Sequence, residues 1–175
     1  RRSLKNPLIR GVLKSLGIVA LAKGVYTRRL LARGTHSVTL MGVPLKFAVS
    51  SEREIARIDA EYLEEEFLTR LIDSIRDGDV VYDVGANIGL VTMVVASRCA
   101  KAGKRILVHA FEPEPRNFDH LSRNIELNNL GTVKAHRVAL ASHDGKGELF
   151  VDGEAGTGTH SIVSAEAHGR AAIPI

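Results

Sequence analysis

The sequence predicts an α/β protein built on a Rossmann-like, doubly wound parallel sheet, and three observations carry that prediction. From Val80 onward, short apolar runs suited to buried strands alternate with longer segments of helical period. A glycine-bearing turn, Gly85 to Gly89, joins the first of those strands to its helix. An acidic residue, Glu112, ends the second strand, 23 residues after Gly89.

The N-terminal segment stands apart from that pattern. Residues 1–33 contain nine Lys or Arg and no acidic residue, so the remaining 15 basic residues face 20 acidic ones and the rest of the chain carries −5. The net charge of +4 therefore belongs to the first 33 residues, and nucleic-acid binding by the domain is not expected. Leu8, Val12, Leu16 and Val19 recur at helical spacing among Lys5, Arg10, Lys14 and Lys23, which describes a basic amphipathic helix. Packing of that helix on the domain is the preferred reading; peripheral contact of residues 1–33 with an anionic membrane is the alternative. The basic residues are spread through the segment instead of preceding an apolar block, unlike a signal peptide, and a cytoplasmic protein is expected.

Next, Val38, Leu40, Val43, Leu45, Phe47 and Val49 alternate with other residues across Met41-Gly42, which predicts a hairpin over Ser37 to Val49. Ser51 and Glu54 have the spacing of a capping box. Ile55, Ile58, Tyr62, Leu68, Leu71 and Ile75 extend a helical apolar face from there toward Gly78. The core then reads strand Val80–Val84, helix Ile88–Ala100, strand Ile106–Phe111, helix Arg116–Leu127 and strand Val133–Val138. Asn128-Asn129 and Gly131 stop the second helix. A short strand, Glu148–Val151, and a glycine-rich loop, Gly153–Thr159, follow. At 175 residues one domain is expected, divided as a basic segment over 1–35 and a partial domain over 36–175 with its core at 78–163. The chain begins without Met and ends at Ala172-Ile173-Pro174-Ile175 without a stop signal, so both ends read as cuts and the domain as C-terminally truncated.

No apolar run approaches the eighteen residues a membrane helix needs. The single cysteine, Cys99, sits in an apolar stretch and reads as a buried structural thiol. The seven histidines lack metal-ligand spacing, and no metal site is expected.

Ligands of an open α/β sheet bind beyond the carboxyl ends of its strands. There, Gly85 lets a ligand approach the backbone, Gly89 lets the helix pack closely, and Glu112 can accept both hydrogen bonds of a ribose diol. Pro113 and Pro115 stiffen the turn that aims it. A nicotinamide dinucleotide would need a second glycine two positions after Gly85, where this chain has Asn87, and its pyrophosphate would be repelled by Asp83. S-adenosylmethionine has no phosphate and is cationic at its sulfonium and amino groups, so the loop favours it.

Four motifs in order then resemble the FkbM family of S-adenosylmethionine-dependent methyltransferases: DVGANIG at Asp83–Gly89, AFEPEPRNF at Ala110–Phe118, LSRNIELNN at Leu121–Asn129 and VALASHDG at Val138–Gly145. The resemblance covers about Glu64 to Val163 and implies a fold of the class I methyltransferase type. It implies that Asp83, Gly85, Asn87 and Gly89 line the methionine and ribose part of the pocket, that Glu112 binds the ribose hydroxyls, and that Ala139 and Leu140 lie near the adenine. Ala86 and Pro113, in the same turns, complete the cofactor-binding set. Asn117 and Asn124 match family positions and are read as structural. The family continues into a strand resembling KIDVEG, with another acidic residue, which this chain does not reach. Many members methylate hydroxyls on sugars, polyketides or other small molecules, so a small-molecule hydroxyl acceptor is implied.

No catalytic residue is assigned. His143 and His160 are loop histidines without an evident partner, and Glu64 and Glu66 read as a solvated acidic face. The competing functions are a nicotinamide-dependent oxidoreductase domain and a non-catalytic interaction domain using the basic helix.

Overall fold

The computed structural model describes residues 18–59, 65–141, 145, 148–151, 161–162 and 171–174. It opens with helix α1 (Ile18–Arg33), followed by strands β1 (Thr35–Leu40) and β2 (Val43–Ala48) and helices α2 (Glu52–Asp59) and α3 (Glu65–Ser74). The central part is β3 (Val80–Val84), α4 (Leu90–Lys101), β4 (Leu107–Phe111), α5 (Pro115–Leu127) and β5 (Val133–His136). Short strands β6 (Glu148–Val151), β7 (Ser161–Ile162) and β8 (Ala171–Pro174) complete it.

The expected alternation produces a parallel sheet in the order β3-β4-β5, with Asp83 beside Ala110 and Phe111 beside His136. Parallel neighbours need crossover connections, and α4 and α5 supply them. The described helices cover one face of this sheet. On that face Val108 and Ala110 are fully buried and join the core with Val133. On the other face Val80, Tyr82 and Val84 are exposed, so the apolar run of β3 is not buried on both sides as a continuous strand pattern suggests. That face carries a row of stacked rings, with centroids of Tyr82 and His109 5.5 Å apart and of Phe111 and His136 4.9 Å apart.

The hairpin forms as expected, turning at Met41 and Gly42, both with positive φ, and pairing Val38 with Leu45. It forms a third layer over α4 and α5, where Phe47, Met93, Val94 and Leu121 are fully buried. Two asparagines one turn apart on α5 serve the backbone of β2. Asn124 Oδ1 accepts from Ala48 N at 2.6 Å, while Asn128 accepts from Lys46 N at 2.9 Å and donates to Lys46 O at 2.7 Å. The strand edge thereby finds polar partners on a helix.

The helical face read from Ser51 toward Gly78 is two helices, α2 and α3, with Tyr62 and Glu64 outside the described residues. The capping box is present: Glu54 N donates to Ser51 Oγ, and the Glu54 carboxylate accepts from Ser51 N. Of the basic helix, Leu8, Val12 and Leu16 also lie outside the described residues. Helix α1 packs through its C-terminal half, where Thr27 and Leu30 are buried, whereas Leu21 and Val25 are exposed. Cys99 is fully buried, and burial pushes its thiol up from the ordinary value. No described helix is long and apolar enough to cross a membrane.

Candidate functional site

The strand ends are joined by backbone hydrogen bonds. Gly85 N and Ala86 N both donate to Phe111 O, at 2.9 and 3.0 Å, and Glu112 N donates to His136 O at 3.0 Å. These bonds bring the turn after β3, with Gly85, beside the ends of β4 and β5, with Glu112.

Glu112 is the centre of this arrangement. It is 4% exposed, and its two carboxylate oxygens accept from different loops: Oε2 from Asn87 N at 2.7 Å and Oε1 from Glu114 N at 2.9 Å. A buried carboxylate requires such donors. Each oxygen retains lone-pair capacity, so the anchored carboxylate can still accept two hydroxyls of a diol.

The turn from Gly85 to Gly89 is strained backbone made of residues that tolerate it. Gly85, Asn87 and Gly89 have φ of 78°, 53° and 87°. Asn87 is one of the few side chains at home there, and its Oδ1 accepts from Ile88 N at 2.8 Å. The two glycines differ in surroundings. A Cβ at Gly85 would meet nothing within 4 Å, so its flank is open to a ligand. A Cβ at Gly89 would stand 2.6 Å from Leu121 Cδ1 and 3.1 Å from Met93 Cε, so Gly89 permits packing among helices α4 and α5, where the sequence suggested helix against strand.

Asp83 lies on the helix-covered face, where Thr92 Oγ1 of α4 donates to its Oδ2. Burial pushes its carboxyl above the ordinary carboxylate range, opposed by the Thr92 hydrogen bond. Thr92 was not singled out from the sequence. Its one signal was a hydroxyl within the apolar run Leu90 to Ala96, nine residues after Asp83. Glu114 was likewise missed as a cap: fully enclosed, it begins α5 by accepting Asn117 N at 2.6 Å, with Pro115 at the first helical position.

Pro113 follows Glu112 directly, and Ala139 and Leu140 follow β5 outside any helix or strand, with Leu140 exposed. Asn124 is structural as expected, since it also donates to Ile88 O at 2.7 Å and so ties α5 to the turn. Glu66 is exposed and pairs with Arg70 one turn away. His143, His160 and Glu64 lie outside the described residues. Among the described residues no three His, Cys, Asp or Glu gather as a metal site. A cleft of about 830 Å³ lies away from the strand ends, between α1, α2 and α5, bordered by Arg53, Arg116 and His120.

No family model matches the chain. Over 121 residues, 69% of this chain and 47% of the relative, it is 32% identical to the hexuronic acid methyltransferase AglP of Haloferax volcanii. It is 37% identical over 95 residues to methyltransferase sdnD of Sordaria araneosa, covering 52% of this chain and 35% of that one. Among solved structures, TYW2 of M. jannaschii in complex with AdoMet matches with a TM-score of 0.39 and 27% identity, over 58% of this chain and 42% of that one. The chain thus spans less than half the length of the curated relatives it matches.

The residues present fit a cofactor of the expected kind. Glu112 offers a fixed acceptor pair for a ribose diol, the open flank of Gly85 leaves room at the backbone, and Asp83 is the acidic group at the end of β3. Sheet order and strand-end loops describe a Rossmann-like α/β domain, and the curated relatives that it matches in part are named methyltransferases.

Proposed function

We propose that this chain is the cofactor-binding part of an FkbM-type methyltransferase, a transferase that moves the methyl group of S-adenosylmethionine to a hydroxyl of a small molecule. The observation that carries the reading is Glu112, held between two loops by Asn87 N and Glu114 N beside the open flank of Gly85. The domain is residues 36–175, with residues 1–35 as a basic helical attachment. When bound, S-adenosylmethionine supplies a methyl carbon made electrophilic by the adjoining sulfonium. The chain's own contribution is placement. Glu112 accepts the ribose hydroxyls, Asp83 offers negative charge to the cationic methionine end, and the turn from Gly85 to Gly89, with Ala86 and Asn87, forms the floor. Pro113, Ala139 and Leu140 border the adenine side. Holding a reactive group in a fixed direction is the larger part of what such a displacement needs. The AglP likeness supports a sugar acceptor, and the anionic balance of the chain beyond residue 33 supports a small molecule over a nucleic acid.

Calorimetric titration with S-adenosylhomocysteine, with NAD as a parallel ligand and Glu112→Ala as the variant, tests this. Selective binding of S-adenosylhomocysteine that Glu112→Ala abolishes, with the fold retained by circular dichroism, is the expected outcome. Preference for NAD would overturn the reading, and so would a folded chain that binds neither.

A further inference from the structure

We propose that Thr92 is a positioning residue for the cofactor, its hydroxyl holding the Asp83 carboxyl group turned toward the cationic end of S-adenosylmethionine. The inference rests on the reading of the site given above and adds a residue outside the strand-end loops. Thr92 is 1% exposed and lies in the first turn of α4, against the end of β3. Its hydroxyl has the Asp83 carboxylate as its acceptor. A threonine in a helix ordinarily returns its hydroxyl to a carbonyl of the preceding turn. Here it is directed to the strand, to Oδ2 of Asp83, and the Thr92 backbone N–H also bonds that carboxylate.

The chemistry gives that contact its consequence. Burial disfavours the charged carboxylate, and a donor to its ionised form restores it. Among the described residues no charged side chain acts on Asp83 in compensation. On the flanking elements, its strand neighbour is Ala110, His109 faces the opposite side of the sheet, and Glu112 stands at the end of β4. On α4 the charged or titratable groups are Arg98, Cys99 and Lys101, all in the last turns. Thr92 is thus the neutral donor that favours the charged form of a carboxylate which burial disfavours.

The test is the pH profile of S-adenosylhomocysteine binding to the 175-residue chain as wild type, Thr92→Val and Thr92→Ser. Thr92→Val keeps the shape and loses the donor. Its affinity should equal that of wild type within about threefold on the alkaline plateau, while the acidic limb moves up by about one pH unit, the size expected for one charge-assisted hydrogen bond. Thr92→Ser should restore the wild-type limb. A uniform loss of affinity with an unmoved limb would mean a merely structural residue and overturn the proposal, as would Thr92→Ser behaving like Thr92→Val. NMR titration of the Asp83 carboxyl in the cofactor-free chain gives a second reading. Its midpoint should rise in Thr92→Val, and an unchanged midpoint would overturn the proposal. Should Thr92→Val fail to fold, the wild-type and Thr92→Ser titrations decide, since coinciding midpoints are required. Wild-type protein that binds no S-adenosylhomocysteine at any pH would refute the parent reading, while the Asp83 titration would still report the Thr92 contact separately.

Discussion

Asp83 and Gly89 show how single residues in the turn trade stability against the site. Burial raises the Asp83 carboxyl above the ordinary carboxylate range, so folding favours the protonated form relative to the unfolded chain. The stability contributed by that preference is fully present below the unfolded pKa and is lost as pH rises through the folded one. At neutral pH the Asp83 carboxylate therefore weakens the fold, and Asp83→Asn should raise Tm there. The gain should vanish below about pH 4, where wild-type Asp83 is protonated in both states. Thermal denaturation across pH 3 to 8 checks this, and a destabilised Asp83→Asn at pH 7 would show that the charge is needed for folding. The glycines separate in the same way. Gly89→Ala meets both a positive φ and the Leu121 side chain, and should cost roughly 1–3 kcal/mol in urea denaturation. Gly85→Ala meets only the φ, should cost about 1 kcal/mol, and should weaken S-adenosylhomocysteine binding through the Cβ placed on the open flank.

At the scale of elements, the asparagines of α5 show what the sequence did and did not disclose. Asn124 is fully buried and serves Ala48 N and Ile88 O together, so it joins hairpin, helix and cofactor turn. Asn124→Leu would leave both backbone groups buried and unpaired, at about 1–3 kcal/mol each. It should lower the urea midpoint strongly and loosen the turn, seen as weaker S-adenosylhomocysteine binding; a loss under 1 kcal/mol would show that other donors replace the amide. Sequence alone marked Asn124 as structural but could not supply its partners, because Ala48 is 76 residues away. Patterns that repeat locally were legible. The hairpin turn at Met41-Gly42, the Ser51–Glu54 capping box and strand β6 lie where periodicity and turn chemistry set them. Glu112 was legible too, since its place at a strand end follows from spacing. The contacts of Thr92 with Asp83, and of Glu112 with two loops, were not, because they depend on how helix and strands meet in space. Strands β7 and β8 also escaped notice, each being four residues or fewer and defined by pairing with β6.

For the molecule as a whole, the parallel sheet determines where stability is concentrated. β4 is bonded on both sides, to β3 and β5, and its side chains Val108 and Ala110 are fully buried against the helical layer. Among the described residues β3 is bonded on one side only, and it exposes Val80, Tyr82 and Val84 on its uncovered face. Parallel strands are ordinarily buried on both faces, so β3 is the weakly held strand even though it carries Asp83 and leads into the cofactor turn. Local opening should follow that asymmetry. In native-state hydrogen exchange, the amides of β4 should exchange only with global unfolding, and those of β3 by a local route that denaturant affects less. Cofactor binding ties the turn after β3 to Glu112, so saturating S-adenosylhomocysteine should slow exchange in β3 and at Asn87 more than in β4, which is already at the global limit. Equal protection of β3 and β4 without ligand would mean that the exposed edge is covered in solution. Protection of β4 alone on ligand addition would place the ligand away from the end of β3.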